Sequence, residues 1–110
     1  TIERPDKLKN KQKGEGGGLS GQPLFDPSTK ILYDFYKLTD GKIPLIGVGG
    51  VGSGQQAYSK IRAGASLVQL YSALVYEGLG LVNDIKRELA ELLERDGFET
   101  VSDAIGIDHH

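Results

Sequence analysis

The chain has 110 residues, enough for one domain, with 38% apolar and 25% charged residues, an ordinary balance for a globular protein. Its net charge of −2 and pI near 5.6 give no argument for a nucleic-acid partner or an anionic surface. It has no cysteine, which excludes disulfides and thiolate metal sites, no metal site is expected, and no apolar run approaches the roughly 18 residues of a membrane span.

Residues 1–18 carry Arg4, Lys7, Lys9, Lys11 and Lys13 among acidic neighbours and end in Gly16-Gly17-Gly18. Nothing apolar recurs there, so the stretch reads as a solvated surface loop. GGLSGQPL, Gly17 to Leu24, is a second glycine loop. Asp26-Pro27 then reads as an N-cap followed by proline at the first helical position. Ile31, Leu32, Phe35 and Leu38 follow at helical spacing, and Gly41 closes the segment.

Ile43 to Val48 is a short run of branched residues, the pattern of a buried strand. Ser53 opens the next helix, and Gln56 three positions later completes a capping-box pattern. Ala57 and Ile61 give that helix its inner stripe, and Gly64 ends it. Ser66 to Leu74 is apolar nearly throughout and reads as a second buried strand. The last long helix runs from about Leu81 to Arg95, with Leu81, Val82, Ile85, Leu89, Leu92 and Leu93 on one side and Gly97 as its stop. The tail, ETVSDAIGIDHH, has room for one more helical turn. The carboxylates Asp34, Asp40, Glu88, Glu91 and Glu94 read as solvated, and the terminal His109-His110 pair as a tail or a purification tag.

Strands alternating with helices imply parallel pairing through crossovers. Two parallel strands cannot form a stable sheet alone, so the expected fold is α/β and the chain a segment of something larger, not a complete domain.

Between the first strand and the second helix lies GVGGVGSG, with five glycines within eight positions, Gly47 to Gly54. Three readings compete for it. A dinucleotide site needs an acidic residue about 20 positions on, at the end of the next strand, and Gln69, Leu70, Tyr71 and Ser72 stand there instead. A sharp strand-to-helix turn needs only one or two glycines. A phosphate site would use a row of backbone N–H groups at a helix N-terminus, and this reading suits five glycines best. Tyr71 and Ser72 would offer hydroxyls from the neighbouring strand end, the layout in which eight-stranded barrels hold phosphate after strands seven and eight.

The blocks GGLSGQPL, STKILYDFY, IPLIGVGGVGSG, IRAGASLVQLYSALVYEG and DAIGIDHH, in that order, resemble the C-terminal part of class 2 dihydroorotate dehydrogenases. The resemblance extends over nearly the whole chain. It implies a (β/α)₈ barrel that binds FMN, of which residues 19–110 supply about the last two strands and three helices. It implies oxidation of dihydroorotate to orotate in pyrimidine synthesis, with electrons passed to a ubiquinone-type membrane quinone. On it, Ser20 and Gly21 contact the flavin near its phosphate end. Val48, Gly49 and Gly50 present backbone to the phosphate, and Leu70, Tyr71 and Ser72 complete the cradle. The helix N-terminus after Gly52 adds on the order of 1 kcal/mol for a dianion.

By the same resemblance Tyr71, Leu74, Val75 and Leu79 line part of the quinone tunnel, with Leu79 standing where relatives often have proline. The catalytic base and the orotate-binding residues belong to the region upstream of this segment, which holds no catalytic residue itself. Membrane association would use an N-terminal region, and the implied location is the mitochondrial inner membrane, or the cytoplasmic membrane of a bacterium. The alternatives are another FMN- or phosphate-binding barrel, such as a soluble class 1 relative, and a stand-alone binding module.

Overall fold

A computed structural model of the chain describes residues 22–70 and 77–110. A 3-10 turn, Gln22–Leu24, leads into α1, Phe25–Leu38. The strand β1, Leu45–Val48, is followed by α2, Gly54–Ala63, and by β2, Ala65–Gln69. The long helix α3, Gly80–Arg95, precedes a single helical turn α4, Val101–Ala104, and a closing 3-10 turn, Ile107–His109. The basic stretch 1–18, and with it Ser20, Gly21, Tyr71, Ser72, Leu74 and Val75, lie outside the described residues.

The strands pair in parallel, with Ile46 opposite Leu67, Gly47 opposite Val68 and Val48 opposite Gln69. This is the pairing that the alternating order of elements demands. β1 is two residues shorter than the apolar run suggests, because Ile43 lies outside it and is exposed. β2 begins one residue earlier than expected, and Leu70 follows its end.

Side chains alternate across the sheet. Gly47 and Ala65 are buried on the helix side, whereas Ile46, Val48 and Leu67 stand on the open side, Ile46 at 57% exposure. Behind the sheet, Ala57 packs with Val51, Leu81 and Ile85. Tyr58 and Ile61 pack with Leu93 and Ala104. Leu32 of α1 closes over Ala63 and Ala65.

Three local expectations change. Asp26 does not cap α1: the helix starts at Phe25, and the N-cap position falls on Leu24, which gives no side-chain bond. Pro27 is still inside the first turn, where its missing N–H costs nothing, so proline locates that turn without fixing its register. The apolar stripe of α1 is only partly turned inward, since Leu32 is buried while Ile31, Phe35 and Leu38 are exposed.

The tail is built into the fold. Thr100 and Asp103 form a complete capping box at α4, and Gly106 N–H donates to the Ile61 carbonyl at 2.9 Å. The His109 ring stacks on Tyr33, centroids 3.9 Å apart, leans on Tyr36 at 4.5 Å, and bonds the Ala63 carbonyl at 2.8 Å. His109 is therefore a structural residue, not a loose tail.

Candidate phosphate-binding site

The parallel register brings the residues that follow each strand to one end of the sheet. Val48 and Gln69 are the last paired residues, so the turn Gly49-Gly50 and the residue Leu70 share the carboxyl-terminal edge. Gly49 has φ +109° and Gly50 φ +74°, backbone that L side chains rarely adopt, and this is why both positions are glycine. Space demands glycine as well. A Cβ on Gly50 would lie 2.5 Å from the backbone of Phe25, and one on Gly49 would lie 2.7 Å from Ser28 Oγ. The turn runs hard against the start of α1, and the N-termini of α1 and α2 converge on it.

Ser53 caps α2 as its sequence position predicts, its hydroxyl accepting from Gln56 N–H at 3.2 Å. The reciprocal bond of a capping box is displaced by one residue: Gln56 Oε1 accepts from Gly52 N–H at 2.8 Å. Glu88, which the sequence suggests is solvated, reaches from α3 to accept from Gly54 N–H at 2.8 Å. A carboxylate already sits on the positive end of α2, so that helix dipole has less left to give an anion than its position implies. Among the described residues, the donors suited to a phosphate are in the Gly49-Gly50 turn.

Beneath the turn lies a group that the motif does not reveal. Lys60, on α2, is 0% exposed. Its stem passes under β1 because Gly47 has no side chain; a Cβ there would meet Lys60 Cβ at 3.1 Å. Its ammonium donates to Ser28 Oγ at 2.5 Å and to the Phe25 carbonyl at 3.4 Å, and it lies 5.0 Å from the Phe25 ring centroid. Burial pushes its pKa down to about 8, with Asp26 pulling the other way. The Ser28 hydroxyl bonds in turn to the Gly49 carbonyl at 3.2 Å.

Val48 projects onto the open side of the sheet and meets the turn only through its backbone. Leu70 packs its side chain behind the sheet, leaving its main chain at the same edge. Leu79, just before α3, is 80% exposed and belongs to a different surface. The structure thus unites Val48, Gly49, Gly50 and Leu70 and separates Leu79 from them. Lys60 had a sequence signal, since it stands three positions after Ala57 on the same face of the helix; Ser28 and Glu88 had none. A glycine turn with positive φ between two helix N-termini, over a buried cation, fits a phosphate group in its donors and in its charge.

The family model for dihydroorotate dehydrogenase matches residues 1–93. The chain is 60% identical over 108 residues to a protein of Azorhizobium caulinodans named dihydroorotate dehydrogenase (quinone), covering 98% of this chain and 30% of that protein. Over 109 residues it is 57% identical to the mouse protein named dihydroorotate dehydrogenase (quinone), mitochondrial, covering 99% of this chain and 28% of that one. The crystal structure of DHODH from Eimeria tenella in complex with ferulenol superimposes with a TM-score of 0.96 at 45% identity, over 100% of this chain and 29% of that one. The chain spans about 30% of the length of these proteins, and its two strands and their helices are part of the (β/α)₈ barrel that the family resemblance implies. It belongs to the dihydroorotate dehydrogenase family.

Proposed function

We propose that this chain is the C-terminal barrel segment of an FMN-dependent enzyme that oxidises dihydroorotate to orotate for pyrimidine synthesis and passes the electrons to a membrane quinone. Residues 1–18 would be a surface loop and residues 19–110 the barrel part. The observation that carries the cofactor is the Gly49-Gly50 turn at the carboxyl edge of the parallel pair, positive-φ glycine backbone without side chains that a ligand can approach closely. Relatives named as quinone-type dihydroorotate dehydrogenases support the reaction.

In this reading Gly49 and Gly50 hold the FMN phosphate through the main chain, with the backbone of Val48 and Leu70 beside them and Ser20, Gly21, Tyr71 and Ser72 completing the cradle. Bound FMN would take a hydride from dihydroorotate and give its electrons to the quinone. The residues of this chain bind and orient; the proton-abstracting base and the orotate contacts come from the rest of the barrel. Tyr71, Leu74, Val75 and Leu79 would form one wall of the quinone path, and the exposure of Leu79 leaves it available for that role. Relatives from Arabidopsis thaliana, rice and mouse are named mitochondrial and others are bacterial; the resemblance of the tail DAIGIDHH to mitochondrial forms supports the inner mitochondrial membrane, with a bacterial cytoplasmic membrane as the alternative.

The test is an absorption spectrum of the full-length protein as purified, before and after anaerobic addition of dihydroorotate. A flavin band that bleaches on addition is the expected result. A flavin band that persists would move the substrate to another flavin barrel, and folded protein with no flavin would reduce the glycine turn to a connector.

A further inference from the structure

The proposed site leaves one buried charge unused. Lys60 is fully enclosed, and a lysine is rarely buried unless it is paired or does something. Its surroundings do not pair it fully. The ammonium meets one hydroxyl, one carbonyl and the face of the Phe25 ring, and no carboxylate lies within salt-bridge distance among the described residues, although Asp26 acts on it through space. Desolvating a cation for so little local return is costly, and replacement by an apolar residue of similar shape is often neutral or stabilising.

The bonds around Lys60 have a direction. The ammonium donates to Ser28 Oγ and also reaches the Phe25 carbonyl, and the serine hydroxyl, holding one proton, has the Phe25 carbonyl at 3.1 Å and the Gly49 carbonyl at 3.2 Å as acceptors. That carbonyl belongs to the peptide whose N–H is that of Gly50. No peptide bond among the described residues is cis, and in a trans peptide the C=O and N–H point opposite ways. Drawing the Gly49 oxygen inward to Ser28 therefore aims the Gly50 N–H outward, away from the helix side. A charge at the head of this chain polarises it in the sense that strengthens that N–H as a donor.

We infer that Lys60, acting through Ser28, is a positioning residue for the flavin phosphate: it fixes the Gly49–Gly50 peptide in its anion-binding orientation and places a buried positive charge behind it. This rests on the FMN reading above and adds to it a residue distant in sequence from the glycine motif.

The experiment separates the phosphate from the rest of the flavin. Full-length protein is stripped of cofactor and titrated by flavin fluorescence with FMN and, separately, with riboflavin, which has the same ring and no phosphate. Wild type is expected to prefer FMN. Lys60→Met keeps the stem that packs beneath Gly47; it should weaken FMN binding about tenfold or more and leave riboflavin within twofold, with Ser28→Ala moving FMN in the same direction. Equal loss of both flavins in Lys60→Met would reduce Lys60 to a packing residue and overturn the inference, as would unchanged FMN affinity. Should Lys60→Met not fold, Ser28→Ala decides alone, by the same comparison. Folded wild-type protein that binds no FMN would refute the functional reading itself, whereas wild type with no preference between the two flavins would refute only the phosphate cradle and the role of Lys60 in it.

Discussion

Replacing Gly50 by alanine puts the glycine turn under the most direct stress, and its cost can be built from two separate terms. The first is conformational. Gly50 has φ +74°, and holding an L residue there costs roughly 1–2 kcal/mol. The second is steric. The new Cβ would stand 2.5 Å from three atoms of Phe25, two of them backbone, where ordinary contact begins at 3.4 Å. Relief requires the turn and the start of α1 to separate by about 1 Å, and overpacking of this kind costs roughly 1–3 kcal/mol more. The sum is about 2–5 kcal/mol, and a displacement near 1 Å is enough to impair a positioned ligand about a hundredfold.

Two other glycines isolate these terms. Gly97, at the end of α3, has φ +81° with nothing within 4 Å of a built Cβ among the described residues, so Gly97→Ala should show the strain alone, roughly 1–2 kcal/mol. Gly80, the first residue of α3, has neither a positive φ nor, among the described residues, a close neighbour, and Gly80→Ala should be neutral or stabilising by up to about 1 kcal/mol. Urea denaturation of the three full-length variants gives the ranking, and flavin content per chain gives the ligand effect. Gly50→Ala with the stability of Gly80→Ala and a full complement of flavin would refute both terms at once.

Other expectations follow from the polar contacts. Asp96 is held by Arg95, then by the Tyr58 hydroxyl at 2.5 Å, and its pKa falls to about 2 from an ordinary 3.8. Its folded-state pKa is lowered, so the stability it contributes is complete above about pH 4 and is lost as the pH falls toward 2; Asp96→Asn should remove that part of the acid unfolding curve. Glu88→Ala should destabilise the protein by about 1 kcal/mol in thermal unfolding, through the Gly54 N–H left without its acceptor at the start of α2. His109→Ala removes a stacked ring and a hydrogen bond and should cost about 1–3 kcal/mol; an unchanged melting temperature would return the C-terminus to the status of a tail.

What could be read from sequence follows the range of the forces involved. Ser53 as a cap, Gly64 as a stop and the positive-φ glycines are local, and each was legible because a few neighbouring residues decide it. The parallel pairing was legible from the order of elements alone. The register of the α1 start was not, because proline is equally tolerated at several first-turn positions. Glu88 could not be found, since its partner Gly54 lies 34 residues away and nothing local distinguishes it from Glu91 or Glu94. Lys60 stood between, on the inner face of its helix by spacing, yet its burial depends on room made by Gly47 and Ala65 on two different strands.

The surfaces left open argue for the remainder of the barrel more strongly than the element count does. On the open side of the sheet Ile46 pairs with Leu67, and Val48 completes an apolar row, all three exposed. Barrel strands direct such residues into a packed interior, filled in layers by alternate strands. Around the edge, Ile31, Leu32 and Phe35 of α1 and Leu45, Ile46 and Val48 of β1 line a groove of about 270 Å³. An apolar groove of this kind in the lone segment is what another barrel element would fill. Two strands with this much unburied apolar surface lack the cooperative core that independent folding requires. The isolated 110-residue chain is therefore expected to show no sharp thermal transition and to associate or aggregate, while the full-length protein melts cooperatively. A cooperative transition in the isolated chain, shown to be monomeric by sedimentation, would mean that the groove and the open sheet face are a stable surface in their own right.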